Sequence, residues 1–204
     1  MLTRLKQQIE RMLTAEARAA HRIGLTPNVV TTIGIILALL AALAYTQWQT
    51  NRLYLLLATV LLLASGFCDA LDGTLARLYQ QTTAFGGFLD SVLDRYADAA
   101  VLIAIIVSGL CDQLSGLIAL TGSLLVSYTR AKAEATNIKM ETIGIAERAE
   151  RIIILITASL IAIYWQPATS PMTVATIILA VLTNLTVLQR SIHIYNKLKK
   201  KETD

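Results

Sequence analysis

Residues 53–98 read LYLLLATVLLLASGFCDALDGTLARLYQQTTAFGGFLDSVLDRYAD. The stretch 53–68 carries no charge, and the residues after it place carboxylates at Asp69, Asp72, Asp90, Asp94 and Asp98. A run that begins wholly apolar and ends in aspartates reads as a helix that starts in hydrocarbon and finishes at its boundary. Comparable apolar stretches lie at about 29–45, 99–111, 114–129, 152–165 and 172–189. Several are shorter than the ~20 residues needed to cross a bilayer, so their flanks must be helical as well. Hydrophobic residues make up 55% of the 204 and charged residues 16%, against ~45–50% and ~25% in soluble domains. That composition excludes a disordered chain, a collagen-like fibre and an ordinary soluble globule.

The loops set the orientation. Seventeen of the eighteen Lys and Arg residues fall in 1–25, 69–98, 130–151 and 190–204, and Arg52 alone lies in the alternate loops. The positive-inside bias puts the populated loops, and both termini, on the cytoplasmic face of the cell membrane. The expected fold is an all-α, multi-pass integral membrane protein with six transmembrane helices. In residues 1–25, Leu2, Leu5, Ile9, Met12 and Leu13 recur at helical spacing among Arg4, Lys6, Arg11 and Arg18, which predicts an amphipathic helix in the membrane interface. A soluble cap helix is the competing reading. Thr26 and Pro27 open the membrane domain as an N-cap followed by proline at the first helical position. That domain spans 26–198, and 199–204 form a polar tail. Cys68 and Cys111 have no metal-ligand spacing and read as small apolar residues. Gly34, Ala38, Ala41 and Ala42 offer a face for close helix contact.

A carboxylate at the membrane boundary costs ~2.5–3.5 kcal/mol on insertion scales and is a functional hypothesis by default. Asp69 and Asp72 are spaced i, i+3, while Asp90, Asp94 and Asp98 follow at i+4 steps, so each set lies along one helical face. With ~1.5 Å of rise per residue counted inward from Asn51 and Asp112, Asp69 and Asp94 both lie ~27 Å down their helices, Asp72 ~31 Å and Asp90 ~33 Å. Four carboxylates therefore reach one level, where their mutual repulsion calls for cations. Oxygen donors without His or Cys suit a hard divalent ion, Mg2+ before Mn2+ or Ca2+. Four carboxylates can bridge a pair of such ions ~3.5–4 Å apart. The competing reading is a set of helix-end aspartates in the cytoplasm, to which Asp98 is the most open. Gly73 lets a ligand approach the backbone, Ala76 keeps the same face small, Arg77 offers a planar fork for phosphate, and Gly86 and Gly87 leave room where the next helix opens.

The pattern Asp69-Ala-Leu-Asp72-Gly73-Thr-Leu-Ala76-Arg77, eight residues, then Gly86-Gly-Phe-Leu-Asp90-Ser-Val-Leu-Asp94 resembles the signature of the CDP-alcohol phosphatidyltransferase family, with every signature position filled. The resemblance implies transfer of a lipid phosphoryl group from a CDP-linked lipid to an alcohol, with release of CMP. It implies Asp69, Asp72, Asp90 and Asp94 as the metal-binding aspartates, with Asp94 also the general base. Asp69, Gly73, Ala76, Arg77 and Thr83 would contact the CDP-lipid. It also implies a homodimer.

A second cluster is basic. Arg130 and Lys132 close the fourth apolar stretch, Arg148 and Arg151 open the fifth at i, i+3, and Arg190 directly follows the sixth. Positive-inside decoration explains Lys197 and Lys199 to Lys201. It explains Arg190 less well. Arg148 and Arg151 with Glu147 and Glu150 form either a self-satisfied surface network or a phosphate grip oriented by the glutamates. The runs from Ser127 to Glu134 and from Glu147 to Arg151 resemble those family members that attach inositol phosphate to lipid, and 85–96 resembles their archaeal branch, whose lipid is archaeol. Lys132 and Ala149 depart from the arginine and proline of the bacterial members. The resemblance implies CDP-archaeol or CDP-diacylglycerol as donor, inositol 1-phosphate as acceptor, and an acceptor pocket of Arg130, Lys132, Arg148, Arg151 and Arg190. Glycerol 3-phosphate or another alcohol is the rival acceptor. A divalent-cation transporter is the rival of another class, disfavoured because the acidic residues gather at one face. Orientation and pocket account for the basic residues without nucleic acid.

Overall fold

A computed structural model describes residues 13–138, 140 and 143–203, the last three by backbone alone, and every regular element in them is an α-helix. After α1 (13–22) come α2 (Pro27–Thr46), α3 (Leu53–Leu78), α4 (Ala84–Val107), α5 (Gln113–Glu134), α6 (Arg148–Tyr164) and α7 (Thr169–Thr203). Three of them, α2, α3 and the Thr169–Lys200 part of α7, are long and apolar enough to cross a membrane. The others differ for local reasons. α4 carries Asp90, Asp94, Arg95 and Asp98 along its first 15 residues, Ala84 to Asp98, α5 ends in Arg130, Lys132 and Glu134, and α6 has only 17 residues.

The helices pack as α2 on α3 and α4, α3 on α6, α4 on α5, and α7 on α5 and α6. A core of Tyr45, Leu55, Val101, Ile105, Leu155, Met172 and Leu179 is fully or almost fully buried. Leu39, Leu43, Leu63, Ile153 and Val181 are exposed, an apolar outer surface suited to lipid. Inside, polar groups pair across helices: the Tyr45 and Ser159 hydroxyls lie 2.6 Å apart and those of Ser115 and Thr176 2.9 Å apart. Arg52 donates to the Ile163 carbonyl at 3.0 Å, a cation on the exposed carbonyls near the end of α6.

The small-residue face of α2 is consumed within the chain. Gly34, Ala38, Ala41 and Ala42 are buried, and a Cβ added at Gly34 would lie 3.2 Å from the Cys68 Cβ of α3. Leu2, Leu5, Ile9 and Met12 lie outside the described residues. From Leu13 onward α1 rests on the bundle, with Ala17 and Ala20 buried against Val30, Leu71 and Leu75 and His21 stacked on Tyr79 at 3.6 Å.

Helix ends refine the sequence reading. Thr26 has extended backbone before Pro27, but its side chain makes no capping bond. α4 stops at Val107, with Gly109 at φ +65, so Asp112 is not its end. Asp112 caps α5, accepting from the Ser115 amide at 2.9 Å, because a short carboxylate ahead of a helix satisfies an otherwise unpaired N–H. Lys199 and Lys200 continue α7 rather than starting a separate tail.

Candidate functional site

α3 continues beyond its apolar part through residues 69–78, carrying Asp69 and Asp72 on its inner side. The chain reverses through 79–83, where Gln80 takes φ +53, and α4 starts at Ala84. Thr83 anchors that start, its hydroxyl accepting from the Gly86 amide at 2.9 Å. Asp90 is thereby returned to the level of α3. Asp69, Asp72 and Asp90 each offer a carboxylate oxygen, and these atoms all lie within 4.8 Å of one another. Asp90 Oδ1 is buried with no hydrogen-bond partner. The Asp72 Oδ2 accepts from Thr31 of α2 at 2.6 Å. A buried carboxylate oxygen left without a donor is costly, and three converging hard donors with such an orphan among them fit a divalent cation.

Asp94 stands one turn further along α4 and is held by arginines. Arg148 Nη1 approaches Asp94 Oδ1 at 2.7 Å and Asp69 Oδ1 at 2.6 Å, and Arg95 Nη1 lies 3.6 Å from Asp94 Oδ2. The Arg148 contacts are ion pairs without hydrogen-bond direction, since Nη1 has no hydrogen-bond partner. One more turn along, Asp98 accepts from Arg148 Nε at 3.4 Å and from Arg151 Nη2 at 2.5 Å. Arg151 also donates to the Ala146 carbonyl at 3.0 Å. Asp98 is therefore no solvated helix end. The arginine pair at 148 and 151 is partnered by Asp94 and Asp98 of α4 and Asp69 of α3, not by Glu147 and Glu150 beside it, and Glu150 Oε2 is itself buried without a partner.

The remaining basic residues divide. Arg190 is 2% exposed and donates to the carbonyls of Ile143 at 2.8 Å and Val126 at 2.6 Å, with Glu147 3.8 Å away. The charges of Arg130, Arg151 and Glu134 bear on it. Arg130 is exposed and bonded to Glu134 at 3.0 Å, and Lys132 is exposed. Arg77 is exposed at the end of α3, and a Cβ at Gly73 would lie 3.2 Å from its Nη1, so Gly73 lets the guanidinium lie close over the helix. Ala76 is half-buried beside it.

A narrow, open cleft joins these groups, lined by Thr31, Ser65, Asp69, Asp72, Asp90, Asp94 and Arg148 among others. Thr31 and Ser65 were not visible from the sequence as site residues. Ser65 precedes Asp69 by four positions on the same face of α3 and has a buried, unpartnered hydroxyl. Thr31 has no such signal, being 41 residues from its carboxylate.

Residues 24–188 match the family model described as CDP-alcohol phosphatidyltransferase. The archaetidylinositol phosphate synthase of Methanothermobacter thermautotrophicus is 41% identical over 199 residues, covering 98% of this chain and 96% of its own. The phosphatidylinositol phosphate synthase of Mycobacterium tuberculosis is 34% identical over 190 residues, covering 88% and 84%. A crystal structure of a Mycobacterium tuberculosis phosphatidylinositol phosphate synthase with CDP-DAG bound superposes with a TM-score of 0.76 at 31% identity, covering 91% of this chain and 94% of that one. A second, in complex with manganese and citrate, gives 0.75 at 31% identity, covering 90% and 88%. With a family match that runs through both aspartate-bearing helices and relatives that cover nearly all of its length, the chain belongs to the CDP-alcohol phosphatidyltransferase family.

Proposed function

We propose that this protein transfers the lipid phosphoryl group of a CDP-linked lipid, CDP-archaeol or CDP-diacylglycerol, to inositol 1-phosphate and releases CMP. The convergence of the Asp69, Asp72 and Asp90 oxygens around an orphaned carboxylate oxygen carries the reading. These three residues would hold Mg2+, as a pair of ions in which Mn2+ can substitute, with Asp94 at the edge of the set. Mg2+ bound there supplies charge neutralisation for the pyrophosphate and for the departing CMP.

The chain's own groups do the rest. Gly73 and Ala76 leave the helix face low enough for a nucleotide to lie against it, and Arg77 supplies a guanidinium for phosphate, with Thr83 at the lip. Asp94 lies outside the three-oxygen group, which keeps it available to take the acceptor's hydroxyl proton. Arg148 and Arg151, with Arg130, Lys132 and Arg190 behind them, supply positive charge for an acceptor that already bears phosphate. All six helices after α1 would span the membrane, with both termini and the site on the cytoplasmic face, and two copies would assemble as a dimer through surfaces other than the buried α2 face.

The test is CMP release by the purified protein from a CDP-lipid with Mg2+ and a panel of acceptors. Release that requires inositol 1-phosphate and is abolished by chelation is expected. Release with glycerol 3-phosphate in its place would move the acceptor assignment, and no release with any acceptor would overturn the reaction.

A further inference from the structure

Asp98 is placed in no metal or substrate set above, yet it occupies the junction of the site. Its side chain is 12% exposed, and its two oxygens are divided between two arginines: Oδ1 takes Arg148 Nε and Oδ2 takes Arg151 Nη2. Behind it, Arg151 is fixed to the Ala146 carbonyl in the segment that enters α6. In front, the same Arg148 guanidinium reaches Asp69 on α3 and Asp94 on α4. A continuous relay thus runs from the main chain before α6, through Arg151, Asp98 and Arg148, to the edge of the acidic cleft.

We propose that Asp98 is a positioning residue that holds Arg148 between the aspartate cluster and the acceptor side of the cleft, with Arg151 as its backing. The charges show why such a holder is needed. Asp69 and Asp94 both attract Nη1, and among the described residues Asp98 is the carboxylate that meets the guanidinium at Nε. The charge-assisted bond of Asp98 to Nε pins the other edge of the planar group and fixes its orientation. With Asp98 neutral, Arg148 is drawn wholly toward Asp69 and Asp94 and withdraws from an incoming phosphate. The assignment rests on the proposed acceptor having a phosphate, and it adds a residue whose effect is confined to that substrate.

The experiment is a steady-state analysis of Asp98→Asn and Asp98→Glu by CMP release, each substrate varied in turn. For Asp98→Asn the acceptor KM is expected to rise about tenfold or more while the CDP-lipid KM stays near wild type, and Asp98→Glu is expected to recover part of the loss. A buried Arg151 left without its carboxylate can unfold the protein. Asp98→Glu keeps a charge for Arg151 and so tests the role in a folded protein, with thermal unfolding reporting that each variant is folded: its acceptor KM should lie between those of wild type and Asp98→Asn. Equal rises in both KM values, or a wild-type acceptor KM in both variants, would overturn the assignment. A wild-type protein that releases no CMP overturns the proposed reaction and this role together, whereas an active wild type without the KM split overturns this role alone.

Discussion

Replacing Thr31 with Val tests whether α2 takes part in the site. The Thr31 hydroxyl has one proton and two acceptors within reach, Asp72 Oδ2 at 2.6 Å and the Pro27 carbonyl at 3.0 Å. The ionised carboxylate is the stronger acceptor, and 2.6 Å is the length of a charge-assisted O–H···O bond. Asp72 is 6% exposed, so water cannot take over the lost donor. Hydrogen bonds to charged groups contribute ~1.5–3 kcal/mol, so Thr31→Val, nearly identical in shape, should lower stability by about 2 kcal/mol. Groups that orient a metal ligand typically change metal affinity by about 10- to 100-fold when removed, so the variant should bind Mn2+ more weakly by that factor. Mn2+ binding followed by electron paramagnetic resonance, and thermal unfolding in the presence of chelator, read the two effects separately. Thr31→Ser keeps the hydroxyl and should bind Mn2+ like wild type. Wild-type Mn2+ affinity and an unshifted unfolding temperature in Thr31→Val would refute the reasoning.

Asp94→Asn should lower turnover by about 10²- to 10⁴-fold with Mn2+ affinity much less affected, since its oxygens are held by Arg148 and Arg95 and it is not one of the three converging carboxylates; a parallel loss of Mn2+ binding would make it a ligand instead. Arg190→Met removes the donors to the Ile143 and Val126 carbonyls and should lower stability by about 2–4 kcal/mol, measured by chemical or thermal unfolding, with Arg190→Lys failing to restore it because one ammonium cannot span both carbonyls. Gly86→Ala places a methyl 2.9 Å from both the Thr83 hydroxyl and Asn28 Oδ1; the loss of the cap should cost about 1 kcal/mol, visible as a lower unfolding temperature, and an unshifted transition would mean that the start of α4 can yield.

What could be read from the sequence was what repeats locally. Asp69 and Asp72 at i, i+3 and Asp90 at its fixed distance from them mark a shared helical level, and the coordinates bring those three together. The helices themselves followed from apolar length. The partners of Arg148 and Arg151 could not be read, because the nearest carboxylates in sequence, Glu147 and Glu150, compete on paper with Asp98, which lies 50 and 53 residues from the two arginines and wins in space. Asp98 looked like a helix end because nothing in its neighbourhood reports that α6 covers it. Asp112 was misassigned for a different reason: an aspartate three residues before a serine amide is a helix opener, and the apolar run ending at Cys111 hid that signal. The Gly34, Ala38, Ala41 and Ala42 stripe announces close contact but not with whom, and the contact is internal.

Arg190 makes its hydrogen bonds to peptide carbonyls, with Glu147 3.8 Å away as a side-chain counter-charge. Every amino acid at 126 or 143 presents the same oxygen, so both positions are free to drift without weakening the tie, whereas the guanidinium has no substitute. Evolution at these two hydrogen bonds would leave an arginine with no correlated exchange at 126 or 143. Methods that infer proximity from paired changes would therefore pass over the bond that closes the α5–α6 connection onto α7.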